Sequence, residues 1–197
     1  MVDYLVTWQA MKDFTAHRTN HTPDEIWLLQ HPSVYTQGIA GKPEHLLYRN
    51  DIPVIKTDRG GQITFHGPGQ LIAYLLLDLR RLKFNVRELV RKMEGAVIDL
   101  LGEYRVDAER RIDAPGVYVS NAKIASLGLK IKNGCCYHGI ALNVDMDLTS
   151  FSAINPCGYA GLRVTQTKDL GIDDEIEVLG QKMIEKLQIK FAEGRNI

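Results

Sequence analysis

The chain has 197 residues, of which 45% are hydrophobic and 24% charged, and its 24 Lys+Arg balance 24 Asp+Glu so that the formal net charge is zero. This is a globular composition at a length that favours one compact unit over residues 1–197, with a small appendage possible, able to bury a core without disulfides or metal. The charge balance argues against a nucleic-acid binder and against a polybasic membrane protein. The longest near-continuous apolar stretch, residues 71–79, contains Tyr74 and Asp78 and is far shorter than the roughly 20 residues that cross a bilayer. Asp3 stands where a signal peptide wants positive charge, and the three cysteines, two of them adjacent, make a poor disulfide framework. A cytoplasmic protein is expected.

In chain order, residues 8 to about 17 read as a helix, and residues 26–29 and 52–55 as strands, the second an edge or early strand because of Pro53. Residues 63–65 and 71–77 are strand-like and are separated by the turn Gly67-Pro68-Gly69. Asn85 followed by Glu88 resembles a capping box, and Val86, Leu89, Val90, Met93, Val97, Leu100 and Leu101 follow at helical spacing as a core-facing stripe. A last helix is expected over residues 174–191, with Ile176, Leu179, Met183, Leu187 and Phe191 inward. Strands on both sides of a central helix imply an α/β or α+β fold.

Asn133-Gly134 is a strong hairpin signal, because a type I′ turn needs positive φ at both central positions. A two-residue loop there pairs Lys132 with Cys135, Ser126 with Ala141, Gly128 with Gly139 and Lys123 with Val144. One face then carries Leu127, Leu129, Ile131, Cys136, His138 and Ile140. The other brings two glycines side by side, which either leaves bare backbone for a thin ligand or marks a bulge.

Few residues offer chemistry. CxxC, HExxH, GxSxG and Walker-type loops are missing from the sequence, which removes support for zinc sites, α/β-hydrolases and P-loop NTPases. Cys157, in INPCGYAG, follows a proline and precedes a glycine, as in a tight turn whose backbone N–H groups favour a thiolate or hold an oxyanion. The plain alternative is a small core residue, as expected for Cys135 and Cys136. A thiol of pKa about 8.5 needs help to ionise at neutral pH, and Lys123, in the small apolar setting NAKIA, is a candidate ammonium and base. Its alternative is an ordinary surface lysine. The segment RGGQITFHGPGQ (59–70) packs Arg59, His66 and four glycines into one stretch, suiting an anion-binding loop with a proton shuttle. His31 reads as structural or lining.

These segments, with KIASLGLKI (123–131), HGIALNVD (138–145) and the early QHPSVYTQG (30–38), run in one order along the chain and together resemble the octanoyltransferases of lipoate biosynthesis, the lipoate–protein ligase B family. The departures are Tyr118, where an aromatic that is often tryptophan stands, and Gln30, where an acidic residue is frequent. The resemblance implies a mixed β-sheet with packed helices, shared with biotin and lipoate protein ligases. It implies octanoyl transfer from acyl carrier protein to a lysine of lipoyl domains, found on 2-oxoacid dehydrogenase subunits and the glycine-cleavage H protein. By motif, Cys157 corresponds to the acyl-thioester nucleophile and Lys123 to its activator. The substrate-contacting stretches correspond to Arg59, Gly60, Gly61, Gln62, Ile63, Thr64, Phe65 and His66, to Ser126, Leu127 and Gly128, and to Gly139, Ile140 and Ala141. No cofactor, metal, nucleic acid or membrane is implied, ATP is not needed, and a monomer is expected. Two rival readings stay open on sequence. One is an ATP-dependent lipoate or biotin ligase on the same scaffold, and the other a non-catalytic module that binds the acyl carrier.

Overall fold

The computed structural model describes residues 1–193, with the side chain of Cys157 outside the described set. Helix α1 (Tyr4–Ala16) is followed by β1 (Glu25–Leu29), β2 (Val34–Gln37), β3 (Val54–Lys56), β4 (Ile63–His66) and β5 (Gln70–Asp78). The short α2 (Leu79–Leu82) and long α3 (Val86–Gly102) precede β6 (Glu109–Arg110), β7 (Val117–Val119), β8 (Ala122–Lys132) and β9 (Cys135–Asn143), and α4 (Ile176–Ala192) comes last. The strands form a six-stranded sheet, β1-β5-β9-β8-β7-β6, antiparallel throughout, and a three-stranded sheet, β3-β2-β4, whose β2–β3 pair is parallel.

Strand β5 is buried along its whole length, as the apolar run from Leu71 to Leu77 requires. Leu71, Ala73, Leu75 and Leu77 pack toward α3 and α4, with Leu89, Met93, Val97, Leu100, Leu179, Met183 and Leu187. Ile72, Tyr74 and Leu76 pack on the other face with Met11 of α1. Asp78, which interrupts the apolar run, ends the strand and caps α2 by accepting from the backbone N–H of Arg80. Asn85 caps α3 through the Glu88 N–H at 2.9 Å. The smaller sheet has its own core of Tyr35, Ile63, Phe65, Phe151 and Ile154. Among the described residues no helix is long and apolar enough to cross a membrane.

Three expectations are corrected. Helix α1 starts at Tyr4 rather than near residue 8, because the Asp3 carboxylate accepts from the Val6 N–H at 3.0 Å and caps an extra turn. Val86 and Val90 are not core: Val86 is 45% exposed and both face a cavity. The hairpin register holds from Ala125↔Leu142 to Lys132↔Cys135, but Lys123 bridges Val164 in parallel instead of pairing with Val144. Its backbone groups are taken by the Arg163 carbonyl at 2.8 Å and the Thr165 N–H at 3.0 Å.

Candidate active site

Gly128 and Gly139 do stand opposite one another. They admit protein as well as open space. A Cβ on Gly139 would lie 2.0 Å from the Ala73 carbonyl oxygen of β5, so side-chain bulk there collides with the neighbouring strand. A Cβ on Gly128 would meet Arg59 Cδ at 3.1 Å. The loop after β3 thus lies across β8, fixed by the Gly60 N–H donating to the Leu129 carbonyl at 2.8 Å. Bare backbone on β8 is what lets the small sheet close over the large one.

Between them is a cavity of about 360 Å³. Arg59, Gly60, Gly61, Gln62, Ile63, Thr64 and His66 line it from one side, and Ser126, Leu127, Gly128, Gly139, Ile140 and Ala141 from the other. Of the substrate-contacting residues expected from sequence, Phe65 is placed elsewhere, between Tyr35 and Phe151 in the core of the small sheet. Alternation along β4 explains this: Thr64 and His66 face the cavity, so Phe65 faces away. Sequence reasoning missed Tyr4, Ile72, Tyr74, Val86, Val90, His138 and Tyr159, which also line the cavity. Two of these carried a local signal, Tyr159 two residues beyond Cys157 and His138 next to Gly139; the others arrive from other elements.

His138 had been expected on the apolar face with Ile140. Its φ of 65° breaks the alternation of β9, so that it and its neighbour Tyr137 turn to the same side. Both reach the carboxylate of Asp58, the His138 Nε2 at 3.2 Å and the Tyr137 hydroxyl by a short bond, and Trp8 Nε1 donates to it at 2.9 Å. Burial works to raise the Asp58 pKa, but hydrogen bonds from His138, Tyr137 and Trp8 outweigh it and hold the carboxyl below the usual range. Burial lowers the pKa of His138 despite this carboxylate.

A directed hydrogen-bond chain runs beneath the cavity. Arg59 donates to the Thr36 carbonyl at 2.5 Å, to the Thr36 hydroxyl oxygen from Nε at 3.2 Å and Nη2 at 2.9 Å, and to the Gly60 carbonyl. Holding two donors already, the Thr36 hydroxyl gives its own proton to His66 Nε2 at 3.2 Å. His66 Nδ1 then donates to Gln70 Oε1 at 2.8 Å, since the Gln70 amide nitrogen is spent on Asn143 and the Phe65 carbonyl. Asn143 passes the chain to the Thr165 carbonyl at 2.9 Å, and the Thr165 N–H binds the carbonyl of Lys123. The tautomer follows from these partners. Burial pushes the His66 pKa down to about 3, and the charges of His31 and Arg59 add to the shift. His31, the structural reading, is buried and bonded by Nδ1 to the Val2 carbonyl and by Nε2 to the Tyr74 hydroxyl.

Lys123 is 2% exposed, not a surface lysine. Gly116, at φ 146°, makes room for it: a Cβ there would stand 2.4 Å from Lys123 Cε and 3.0 Å from Nζ. The Gly116 N–H in turn donates to the buried Glu94 carboxylate at 2.9 Å, whose pKa burial raises. The Lys123 Nζ lies 5.3 Å from the centre of the Tyr118 ring. Cys157 belongs to a single 3₁₀ turn, Pro156–Gly158, closed by Gly158 N–H to Asn155 O at 2.9 Å with Gly158 at φ 81°. The Asn155 N–H is held by the His45 carbonyl at 2.8 Å. A Cβ on Gly158 would lie 3.2 Å from His45 Nε2, so the imidazole packs on the turn. The chain leaving the turn is tied twice to the Lys123 region, by Tyr159 hydroxyl to Asp113 carbonyl at 2.5 Å and by the residue 163–165 bonds to Lys123. Cys135 and Cys136 are buried, and burial pushes the Cys136 thiol up to about 12, which makes it inert.

The arrangement is a cavity for a slender, largely apolar group; Pro115 lines it, and the next residue, Gly116, packs against the buried Lys123 side chain. Residues 3–188 match the family model of the lipoyl protein ligase A/B catalytic domain. The chain is 72% identical over 193 residues to the octanoyltransferase of Nitrosospira multiformis, covering 98% of this chain and 90% of the relative. It is 74% identical over 181 residues to that of Nitrosomonas europaea, covering 92% and 89%. Its fold superposes on a bipartite lipoate protein ligase of Thermoplasma acidophilum with a TM-score of 0.74 at 17% identity, covering 93% of this chain and 78% of that one. The ordered motifs, the fold and these similarities agree: the chain belongs to the lipoyl protein ligase A/B catalytic-domain family, among its octanoyltransferases, which are acyltransferases.

Proposed function

We propose that the octanoyl group is taken from acyl carrier protein onto Cys157 as a thioester and passed to a lysine of a lipoyl domain, with Lys123 moving the protons. In the first half, the Cys157 thiol gives its proton to the Lys123 amine and attacks the donor thioester carbonyl. The carrier C–S bond breaks, and the departing thiolate takes the proton from Lys123. In the second half the target amine attacks the Cys157 thioester, its proton passes through Lys123 to the departing Cys157 sulfur, and an amide remains. Exchange of thioesters is nearly balanced and aminolysis is downhill, so no ATP enters. The acceptors are lipoyl domains of 2-oxoacid dehydrogenases and the glycine-cleavage H protein, and the enzyme acts as a cytoplasmic monomer.

The observation that carries this reading is the burial of the Lys123 amine against Gly116, next in the chain to the cavity-lining Pro115, with the segment 163–165 that follows Cys157 bonded to both backbone groups of Lys123. In this reading the Lys123 amine, held by its backbone bonds and packed against Gly116, relays the proton between the two sulfurs. Arg59, Gly60, Gly61, Gln62, Ile63, Thr64, His66, Ser126, Leu127, Gly128, Gly139, Ile140 and Ala141 hold the substrate in this reading. About six methylenes at roughly 0.8 kcal/mol each provide on the order of 5 kcal/mol at most, enough to select chain length. The test is intact mass after mixing with octanoyl carrier protein. One octanoyl mass should appear on the enzyme, vanish in Cys157→Ser, and discharge on adding a lipoyl domain. Lys123→Ala should slow loading by roughly 100-fold or more. Normal transfer by Cys157→Ser would end the covalent reading, and octanoate-dependent ATP–pyrophosphate exchange would replace it with ligase chemistry.

A further inference from the structure

Beside the acyl cavity lies a second cleft of about 680 Å³ between residues 111–114 and 159–163. The two cavities share Asp113, Ala114 and Tyr159 as a common wall, and the Tyr159–Asp113 hydrogen bond crosses that wall. The second cleft therefore begins two residues beyond Cys157 and runs outward along the chain that follows it. Two guanidiniums line it, against the single carboxylate of Asp113. Arg111 lies 4.3 Å over the ring of Tyr118, and is held by Glu109 at 3.2 Å and Asn121 at 2.5 Å. Arg163 is exposed, and its side chain has no hydrogen-bond or ion-pair partner among the described residues.

A carrier-borne acyl group has two ends. With the chain in the apolar cavity and the carbonyl at Cys157, the arm bearing the departing sulfur must leave on the far side of the carbonyl. The second cleft, which shares a wall with the acyl cavity and is lined from Tyr159 onward, offers that exit. An acyl carrier presents its thiol on a pantetheine arm joined through a phosphodiester, and a guanidinium recognises phosphate oxygens through paired, charge-assisted hydrogen bonds. The same two cations disfavour an arriving lysine ammonium. We propose that this cleft binds the phosphopantetheine arm of the acyl donor, with Arg163 as the principal phosphate contact and Arg111 as the fixed second charge. The proposal rests on the covalent reading above.

The test compares octanoyl-pantetheine with octanoyl-4′-phosphopantetheine as donors, following enzyme acylation by intact mass. Wild-type protein should prefer the phosphorylated donor by about tenfold in kcat/KM, the scale of one charge-assisted hydrogen bond. In Arg163→Ala the ratio should fall toward one, in Arg163→Lys it should recover in part, and in Arg163→Glu it should invert. Thermal melts check that each variant is folded, and Arg163 is exposed enough for all three to fold. Equal use of the two donors by wild type, or an undiminished preference in both Arg163→Ala and Arg163→Glu, would overturn the arm site alone. Failure of wild type to load from either donor would overturn the covalent reading along with it.

Discussion

The two faces of the six-stranded sheet are held in different ways. Under α3 and α4 the packing is aliphatic, with Leu75, Leu89, Met93, Val97, Leu100, Leu179, Met183 and Leu187 all fully buried. Under α1 and the small sheet the buried set includes Tyr4, His31, Thr36, Arg59, Gln70 and His138, and hydrogen bonds run through most of it. On the first face any apolar side chain of suitable volume contributes, because burial of apolar area has no direction. On the second face most polar groups depend on particular partners in particular orientations, because an unpaired polar group in a dry interior is costly. The first face supports the sheet, and the second shapes the cavity.

Five experiments break or sharpen this contrast. Gly139→Ala strikes both faces, since its Cβ would stand 2.0 Å from the β5 backbone at Ala73; a loss of more than about 3 kcal/mol is expected, read by urea unfolding. Leu89→Ala, on the aliphatic face, should cost about 3 kcal/mol while leaving turnover per folded molecule intact, and a matching fall in turnover would blur the distinction. Thr36→Val keeps the volume but removes the hydroxyl between Arg59 and His66. It should cost about 2 kcal/mol and also raise KM for the donor, with Thr36→Ser restoring both.

The fourth is a pH experiment. The folded pKa of His66, about 3, lies below that of an unfolded imidazole, near 6.5. As pH falls below about 6.5 the unfolded chain takes up a proton that the folded chain refuses. Stability should then drop toward pH 3 by up to about 1.4 kcal/mol per pH unit for each such histidine. His31 and His138 shift in the same direction, driven by burial, so His66→Gln should remove one proton from the slope rather than abolish it. Asp58 acts lower on the scale: its stabilisation is present above the unfolded carboxylate value of about 3.9 and is lost as pH falls further. A stability profile flat between pH 6.5 and 4 would contradict the buried neutral histidines. The smallest effect is expected of Val86→Ala, which borders the cavity and is half exposed. Stability should change by less than about 0.5 kcal/mol, while the preferred acyl chain lengthens, as a donor series from hexanoyl to decanoyl would show.

The legibility of the fold followed the same division. The α4 stripe, the inward part of the α3 stripe, the Asn85 cap and the Asn133-Gly134 hairpin could be read directly, because periodicity and turn chemistry are local properties. Val86 was misjudged by the same rule, since spacing reports a face but not whether that face meets core or cavity. His138 was misjudged because a single positive φ reverses a side chain in a strand. For Lys123 the local sequence favours an ordinary surface lysine, yet it is 2% exposed. The residue 163–165 segment, Gly116 and the Tyr118 ring meet it in the folded chain and help to bury it.

By itself the amino-acid order determined the two long helices α3 and α4, the hairpin register from Ala125 to Lys132 and the family, since each is encoded in spacing within short windows or in motifs kept in sequence. The tertiary structure decided which of the polar residues became partners. Thr36, His66, Gln70, Asn143 and Thr165 lie on separate segments, and the direction of a hydrogen bond exists only once donor and acceptor share a space.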